Sequence, residues 1–298
     1  MTIAPPRKTT GLRWGILLAV AAACYIIFWM LGGLADSLIL FPGRQPVDAG
    51  RAVRRTVPFD GGELEIWTVR TAAAAAGAPE GFVLDFGGNA QRAEYIAWEE
   101  SPWLGSPVEI WAVNYPGYGG SSGPARLRRI PPAALAAYDA LAAHAGGRPV
   151  FVQGTSLGCA AALHVARHRP VAGLFLRTPP PLRQLILGRF GWWNLWLLAW
   201  PVAAGVPREL DALACAAQVK APAVFLLFEN DEVVPFRYQK KVLDAYAGPK
   251  DAVVLRGMGH NSALEGPALA DVAGRLERLW RRAASRPVAE SHQVLPRR

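Results

Sequence analysis

The sequence predicts an α/β protein with a mixed, mostly parallel central sheet and helices on both faces. Three observations support this class. Short apolar runs alternate with segments of helical character along most of the chain, as in folds built from strand–helix units. The first two runs flank Asp60-Gly61-Gly62, which is typical of a hairpin turn. The later runs are continuously apolar, as strands buried on both faces are.

The predicted elements follow in chain order. Strands are expected at Val53–Phe59, Glu63–Arg70, Phe82–Phe86, Val108–Tyr115, Val150–Gln153, Val171–Leu176, Ala223–Phe228 and Ala252–Leu255. Helices are expected at Pro131–Ala145, Leu157–His168, Phe236–Ala247 and Ser262–Ala284, with a loop at Thr71–Gly81. Together these elements define a folded domain over residues 38–284.

The amino terminus has the pattern of a membrane anchor. Residues 1–13 hold three basic residues and no acid, and residues 14–35 carry no charged side chain. A helix of that length can cross a hydrocarbon layer of roughly 30 Å, so a transmembrane helix is predicted here. The basic residues before it favour a cytoplasmic amino terminus and a folded domain on the periplasmic or extracytoplasmic face.

Two alternatives to an uncleaved anchor stay open. A cleaved signal peptide would use Gly33-Leu34-Ala35 as its peptidase site. The apolar region is, however, longer than that of such peptides, which rarely exceeds about 15 residues. A lipoprotein would use Ala21-Ala22-Ala23-Cys24, but the apolar run continues past that cysteine.

Residues 181–208 interrupt the strand–helix alternation. The segment is too long for a turn and too apolar for a solvated loop, so it predicts a lid. An ordinary core helix is the alternative interpretation. The segment holds four of the eleven tryptophans: Trp192, Trp193, Trp196 and Trp200.

Composition and charge exclude several classes of protein. The 298 residues are 52% hydrophobic, which excludes an intrinsically disordered chain, and three cysteines exclude a disulfide-stapled secreted module. The formal net charge is +9, but residues 1–13 carry +3 and residues 275–298 carry +5. Because the domain between them is nearly neutral, we expect no nucleic-acid partner. The basic tail over residues 285–298 is expected to be a partly disordered extension that touches anionic lipid.

A nucleophile motif lies between a predicted strand and a predicted helix. Gly154-Thr155-Ser156-Leu157-Gly158 matches the G-x-S-x-G elbow in its strand–turn–helix context. The glycines are needed because the turn leaves no room for side chains, and the serine lies at a helix amino terminus, where negative charge is favoured. Ser156 is the expected nucleophile; the alternative is a structural helix-capping serine.

A base and an orienting acid follow in the order that this motif requires. Asp231 follows the penultimate predicted strand and His260 follows the last one, which gives the order Ser, Asp, His. Because the carboxyl ends of parallel strands meet at one edge of a sheet, the three side chains can converge. Glu229 and Glu232 remain rival orienting carboxylates. His260 could also be an ordinary turn histidine.

These motifs resemble those of the α/β-hydrolases, and in particular the membrane-anchored branch that includes bud-emergence proteins and mammalian protein depalmitoylases. The likeness covers residues 38–284 and the preceding anchor. It rests on the segments Leu38-Ile39-Leu40-Phe41-Pro42, Phe86-Gly87-Gly88-Asn89-Ala90 and Asn114-Tyr115-Pro116-Gly117-Tyr118-Gly119-Gly120-Ser121-Ser122-Gly123. The resemblance implies that the backbone N–H groups of Asn89 and Leu157 form the oxyanion hole, with Gly88 beside the substrate.

The chain departs from that family pattern at two positions. Gly87 stands where the family usually has a histidine, and Phe228 stands where it has a glycine three residues before the acid. Neither change removes a triad residue, but each could narrow the substrate range.

The sequence therefore predicts a membrane-anchored serine hydrolase that cleaves a carboxylic ester or thioester through an acyl-enzyme. The anchor and the lid favour a small-molecule or lipid ester with an apolar acyl chain, contacted by Trp192 and Trp193. No metal and no organic cofactor is implied. A peptidase-type hydrolase on the same fold and a catalytically silent membrane scaffold are the alternatives.

Overall fold

A single eight-stranded sheet organises the chain. The structure is a computed structural model that describes residues 10–75, 77–97, 101–192 and 199–285. The strands are β1 (Val53–Phe59), β2 (Gly62–Arg70), β3 (Gly81–Phe86), β4 (Val108–Val113), β5 (Val150–Thr155), β6 (Gly173–Arg177), β7 (Ala223–Phe228) and β8 (Lys250–Leu255). Their order across the sheet is β1-β2-β4-β3-β5-β6-β7-β8. β2 pairs antiparallel with β1 and β4, and every other neighbouring pair is parallel.

The helices lie between the strands and at the amino terminus. They are α1 (Thr10–Gly32), α2 (Leu34–Ile39), α3 (Ile130–Ala145), α4 (Leu157–His168), α5 (Leu182–Phe190), α6 (Ala199–Gly205), α7 (Ala212–Ala216), α8 (Phe236–Ala245) and α9 (Gly266–Ala284). Short 3₁₀ turns occupy Ala72–Ala74, Ala93–Ala97, Leu127–Arg129 and Arg208–Leu210.

Alternating side chains of the central strands pack in two separate hydrophobic cores, one on each face of the sheet. On one face, even-numbered residues of β3 such as Phe82 and Leu84 pack in a large cluster with α3, α4, α7 and α8. On the other face, Val83 of β3 and Phe151 of β5 pack with Trp280 of α9. Because helices cover both faces of the sheet, side chains on both sides of each central strand are buried. This explains the continuous apolar runs from which these strands were predicted.

The predicted elements agree closely with the observed ones. β1, β7 and α4 have the predicted bounds, and the other strands differ by a few residues at their ends. The last helix is the main difference: it begins at Gly266 rather than Ser262. Pro267 in its first turn and the extended backbone of Glu265 define that start. Residues 262–265 are therefore a loop.

The anchor predicted over residues 14–35 overlaps α1 (Thr10–Gly32). Among the described residues, no helix is both long enough and apolar enough to cross a membrane. The transmembrane helix over residues 14–35 stays a prediction. Residues 1–9 of the basic amino-terminal segment and residues 286–298 of the tail lie outside the described residues.

The predicted lid contains α5 and α6, which pack on each other. Arg183 of α5 donates to the carbonyl of Val206 and so ties the two ends of the segment together. Leu185 of α5 packs with Val234 and Tyr238, which places this helix beside the loop after β7. Residues 193–198, between the two helices, lie outside the described residues.

Candidate active site

The G-x-S-x-G segment forms a tight turn between β5 and α4. A Cβ atom on Gly158 would overlap the carbonyl oxygen of Phe86, and one on Gly154 would overlap the carbonyl oxygen of Gly158. Both positions therefore require glycine, because the start of α4 lies directly against the ends of β3 and β5. The two glycines of the motif are therefore required by backbone packing.

Ser156 is held in a strained backbone conformation at the top of this turn. Its φ is 52° and its ψ is −118°. Residues with a side chain rarely adopt that region. Its backbone N–H donates to the carbonyl of Arg177 at 2.9 Å, and its own carbonyl accepts from Cys159 at 2.9 Å. The first turn of α4 starts at the next residue, so the hydroxyl lies at the positive end of a helix.

Asp231 and His260 form a buried pair beside the elbow. His260 Nδ1 lies 2.7 Å from Oδ2 of Asp231, whose side chain is fully buried. A carboxylate can only accept hydrogen bonds, so Nδ1 carries the proton and Nε2 is left as the acceptor. Backbone N–H groups of Val233 and Val234 donate to Oδ1 at 2.9 and 2.6 Å. These hydrogen bonds compensate the burial of the charge.

The rival carboxylates lie elsewhere. Glu232 Oε2 accepts from the backbone N–H of His260 at 3.1 Å. It therefore binds the backbone of the loop after β8 and not the imidazole ring. Its own backbone N–H and that of His260 lower the pKa of Glu232. Glu229 is exposed at the end of β7. The structure thus pairs the imidazole with Asp231 and not with either glutamate.

The loop after β3 presents Asn89 to the same place. Tyr118 Oη donates to the carbonyl of Asn89 at 2.6 Å, and Tyr115 Oη donates to that of Gly87 at 2.8 Å. Burial raises the pKa of Tyr118 to about 12, so its hydroxyl stays protonated and able to donate. The N–H of Gly88 is taken by the side chain of Gln91 at 2.6 Å. These hydrogen bonds fix the positions of the Gly87 and Asn89 carbonyls.

The segment after α2 completes the support of this loop. The side-chain amide of Asn89 donates to the carbonyl of Ile39 at 3.0 Å, and the N–H of Phe41 donates to the carbonyl of Asn89 at 3.1 Å. Arg92, a little further along the loop, donates to the carbonyls of Gly43 and Gln45. The connection from α2 to β1 therefore holds the loop after β3 from outside the cavity lining.

Gln239 is a site residue that sequence reasoning missed. Its fully buried amide accepts from the N–H of Phe228 and donates to the carbonyls of Phe228 and Val234, at 3.0, 3.0 and 2.7 Å. It also lies 3.3 Å from Oδ2 of Asp231. A glutamine on an amphipathic helix carries no sequence signal of such a role. The side chain of Phe228 packs in the core between the sheet and α9, so its bulk lies away from Asp231.

A cavity of about 560 Å³ opens beside the elbow. Ser156 and His260 line it, and so do Gly88 and Asn89 of the loop after β3. Asp231 lies behind the histidine, and Leu157 is buried at the start of α4. Within the described residues Ser156 Oγ makes no hydrogen bond to the imidazole; such contacts often form only in the substrate complex.

The structure does not bring Trp192 to the cavity. This tryptophan, which follows the end of α5, is 73% exposed and is not among the residues that line the cavity. Trp193 lies outside the described residues.

Other reactive side chains near the site have structural surroundings. Cys159, three residues after the serine, is fully buried and donates to the carbonyl of Gly154, and burial raises the pKa of its thiol far above its usual range. Among the described residues, no group of three histidine, cysteine or acidic side chains is arranged to hold a metal ion.

Two curated proteins of similar sequence have no assigned function. The chain is 28% identical over 271 residues to the uncharacterized protein Rv2307c of Mycobacterium tuberculosis, covering 87% of this chain and 92% of that protein. It is 29% identical over 249 residues to an uncharacterized protein of a second strain of that species, covering 80% and 85%. No protein-family model matches the chain. The resemblance to the bud-emergence and depalmitoylase branch stays a prediction.

Solved structures of esterases have the same architecture. The esterase Pf2001 of Pyrococcus furiosus superposes with a TM-score of 0.60 at 13% identity, covering 82% of this chain and 98% of that one. A cold-adapted esterase from an Arctic intertidal metagenomic library gives 0.57 at 20% identity, covering 77% and 97%. Est1E of Butyrivibrio proteoclasticus, solved with ferulic acid, gives 0.57 at 15% identity, covering 78% and 100%. At these identities the likeness concerns architecture, and the chain has the α/β-hydrolase fold.

Proposed function

We propose that the chain is a serine hydrolase that cleaves carboxylic esters or thioesters through Ser156, His260 and Asp231. One observation carries the proposal: a strained serine at a helix amino terminus and a histidine hydrogen-bonded to a buried aspartate line the same cavity. Strain at a single serine and a buried carboxylate are both costly features, and they are typical of catalytic sites.

The reaction would proceed through an acyl-enzyme. Ser156 Oγ attacks the carbonyl carbon of the ester while Nε2 of His260 takes the hydroxyl proton. Asp231 holds the ring with Nδ1 protonated and stabilises the imidazolium that forms. The imidazolium then gives its proton to the leaving alcohol or thiol, and water repeats the sequence to release the acid.

The oxyanion would be stabilised by two backbone N–H groups, those of Asn89 and Leu157. Such a donor contributes about 3 to 4 kcal/mol to the transition state when it is pre-positioned. The tyrosine hydroxyls that hold the carbonyls of Gly87 and Asn89 supply that pre-positioning on one side. The first turn of α4, fixed by its contact with Phe86, supplies it on the other.

A fluorophosphonate probe tests the nucleophile directly. We expect the intact protein to be labelled and Ser156→Ala to be unlabelled. Labelling that survives Ser156→Ala would remove Ser156 as the nucleophile, and an unlabelled intact protein would support the silent scaffold. Comparing p-nitrophenyl esters with the corresponding p-nitroanilides then separates an esterase from a peptidase-type hydrolase.

We further propose that the uncharged segment of residues 14–35 anchors the enzyme in a membrane, with the folded domain on the periplasmic or extracytoplasmic face. The uncharged sequence of residues 14–35, preceded by three basic residues, supports this topology. Alkaline carbonate extraction should leave the protein in the membrane pellet, and a protease added to intact cells or spheroplasts should cut the folded domain. Extraction into the supernatant would refute the anchor, and a protected domain would reverse the orientation.

A further inference from the structure

On the face of the central sheet that α9 covers, the side chains change from apolar to polar near the candidate nucleophile, Ser156. Val83, Phe151 and Phe175 of β3, β5 and β6 pack in the apolar core under α9. Two residues further along β3 and β5, the same face carries Asp85 and Gln153, which are directly paired in the register of the sheet. Interior parallel strands are normally apolar on both faces, so polar side chains here require a reason.

The same change occurs on the next strand. On β6, Arg177 follows Phe175 on this face, and its guanidinium lies 5.1 Å from the ring centre of Phe228. Asp85, Gln153 and Arg177 all line the cavity that holds Ser156 and His260. The end of the apolar core is therefore a polar wall, which we define as Asp85, Gln153 and Arg177.

The orientation of the Gln153 amide follows from its neighbour. Trp103 Nε1 lies 2.8 Å from Oε1 of Gln153. An indole nitrogen can only donate a hydrogen bond, so the amide oxygen of Gln153 is the atom that accepts from Trp103. The NH₂ group of Gln153 is therefore left to bind another partner. Among the residues that the structure describes, this NH₂ group has no hydrogen-bond partner, while the Gln153 side chain lines the cavity.

The polar wall presents an available donor to the cavity. Gln153 offers its N–H groups, and the guanidinium of Arg177 beside it donates to the carbonyl of Ser262 at 2.7 Å. The NH₂ group of Gln153 therefore suits a substrate group that accepts a hydrogen bond. An alkyl chain in this place would cover that NH₂ group without offering it an acceptor.

We propose that the polar wall binds a hydrogen-bonding group of the substrate, such as an amide or a hydroxyl, a few bonds from the carbonyl that is attacked. This inference rests on the proposed hydrolase activity. It also revises the substrate predicted from the sequence, because an apolar acyl chain was inferred from the anchor and the tryptophan-rich lid, and Trp192 lies outside the cavity lining. The polar group can belong to the acyl part or to the leaving group.

The test uses two matched pairs of substrates on the full-length protein. The acyl pair is p-nitrophenyl N-acetylglycinate and p-nitrophenyl pentanoate, and the leaving-group pair is 2-acetamidoethyl acetate and pentyl acetate, followed by pH-stat titration. For each pair the ratio of kcat/KM, polar over apolar, is compared between variants. Intrinsic reactivity cancels in that comparison.

Gln153→Leu should lower the ratio about tenfold in one pair, the size of one hydrogen bond. Gln153→Glu keeps the acceptor for Trp103 but loses the donors, so it should lower the same ratio even if the leucine variant folds poorly. Trp103→Phe is the matched control: it breaks the same Trp103–Gln153 hydrogen bond but keeps the amide, and its ratio should stay within about twofold.

The pair that responds identifies the part of the substrate that carries the polar group. Unchanged ratios in both pairs, with Ser156 still labelled by fluorophosphonate, would overturn the polar wall but not the hydrolase. A ratio that falls equally in Trp103→Phe would also overturn it, because a packing defect would then explain the change. An unlabelled Ser156 would instead remove the hydrolase proposal itself.

Discussion

Replacing Asp231 with asparagine should reverse the tautomer of the candidate base. Oδ1 of Asp231 accepts two backbone N–H groups, from Val233 and Val234, and therefore must remain an oxygen. The NH₂ group of an asparagine would then occupy the place of Oδ2, 2.7 Å from Nδ1 of His260. Facing a donor, Nδ1 would become the acceptor, and the ring proton would move to Nε2.

With the proton on Nε2, His260 cannot take the proton of Ser156. Loss of the correct tautomer in a serine triad costs about 10⁴-fold in kcat, or about 5 kcal/mol. The change is isosteric, but Gln239 adds a second donor beside the new NH₂ group, since its amide lies 3.3 Å from Oδ2. We therefore expect Asp231→Asn to lose about 10⁴-fold in kcat with little change in KM.

The assay is hydrolysis of a p-nitrophenyl ester together with the rate of fluorophosphonate labelling, which should fall in parallel. Glu232→Gln is the matched control, since that carboxylate accepts from the backbone N–H of His260 and not from its ring. This control should lose less than about tenfold. An Asp231→Asn variant within about tenfold of the parent, or a Glu232→Gln variant that loses more, would refute the assignment of Asp231 as the orienting acid.

Three further predictions follow from other parts of the site. Ser156→Gly should be more stable than Ser156→Ala by about 1 kcal/mol in urea unfolding, because glycine relieves the cost of a positive φ. Ser37 in α2, substituted in the same way, should show the opposite order, and a matching order would contradict the strain. Tyr118→Phe should lower kcat about tenfold at nearly constant KM, because the Asn89 peptide loses its brace. Tyr138→Phe, remote from the site, should leave kcat unchanged, and equal losses would argue against the brace. Burial lowers the pKa of His164 to about 4, against 6.5 when unfolded. The folded state therefore binds fewer protons between these values, and stability falls as the pH drops through that window. Urea unfolding measures the free energy that the protein loses between about pH 7 and about pH 4.5. This loss should be about 2 kcal/mol smaller in His164→Leu than in the parent, and an equal loss would show that His164 is not its source.

The fold and the placement of the candidate triad residues could be predicted because both leave local signals. The G-x-S-x-G turn requires glycine at two positions for steric reasons, and the chain order of Ser156, Asp231 and His260 matches the ends of three parallel strands. The bounds of most strands were predictable for the same reason, since burial on both faces produces uninterrupted apolar sequence.

The rest depends on contacts between distant parts of the chain. The amide of Gln239 meets the loop of Asp231 only after α8 packs on β7, and nothing in the helix sequence marks it. The polar residues Asp85 and Gln153 interrupt two apolar runs by a single residue each, a signal too short to interpret without the register that pairs them. The position of Trp192 could not be read from its apolar neighbours either, because the fold leaves this side chain largely exposed.

The support of Asn89 has a mechanical consequence. Its side-chain amide donates to the carbonyl of Ile39, and its own carbonyl accepts from the N–H of Phe41, so two hydrogen bonds join the end of α2 to the loop after β3. A pull or a tilt applied to α1 and α2 would reach the Asn89 peptide before it reached any strand of the sheet. Tension on the amino-terminal helices would therefore change the geometry of the candidate oxyanion hole, and with it the rate of the proposed hydrolysis.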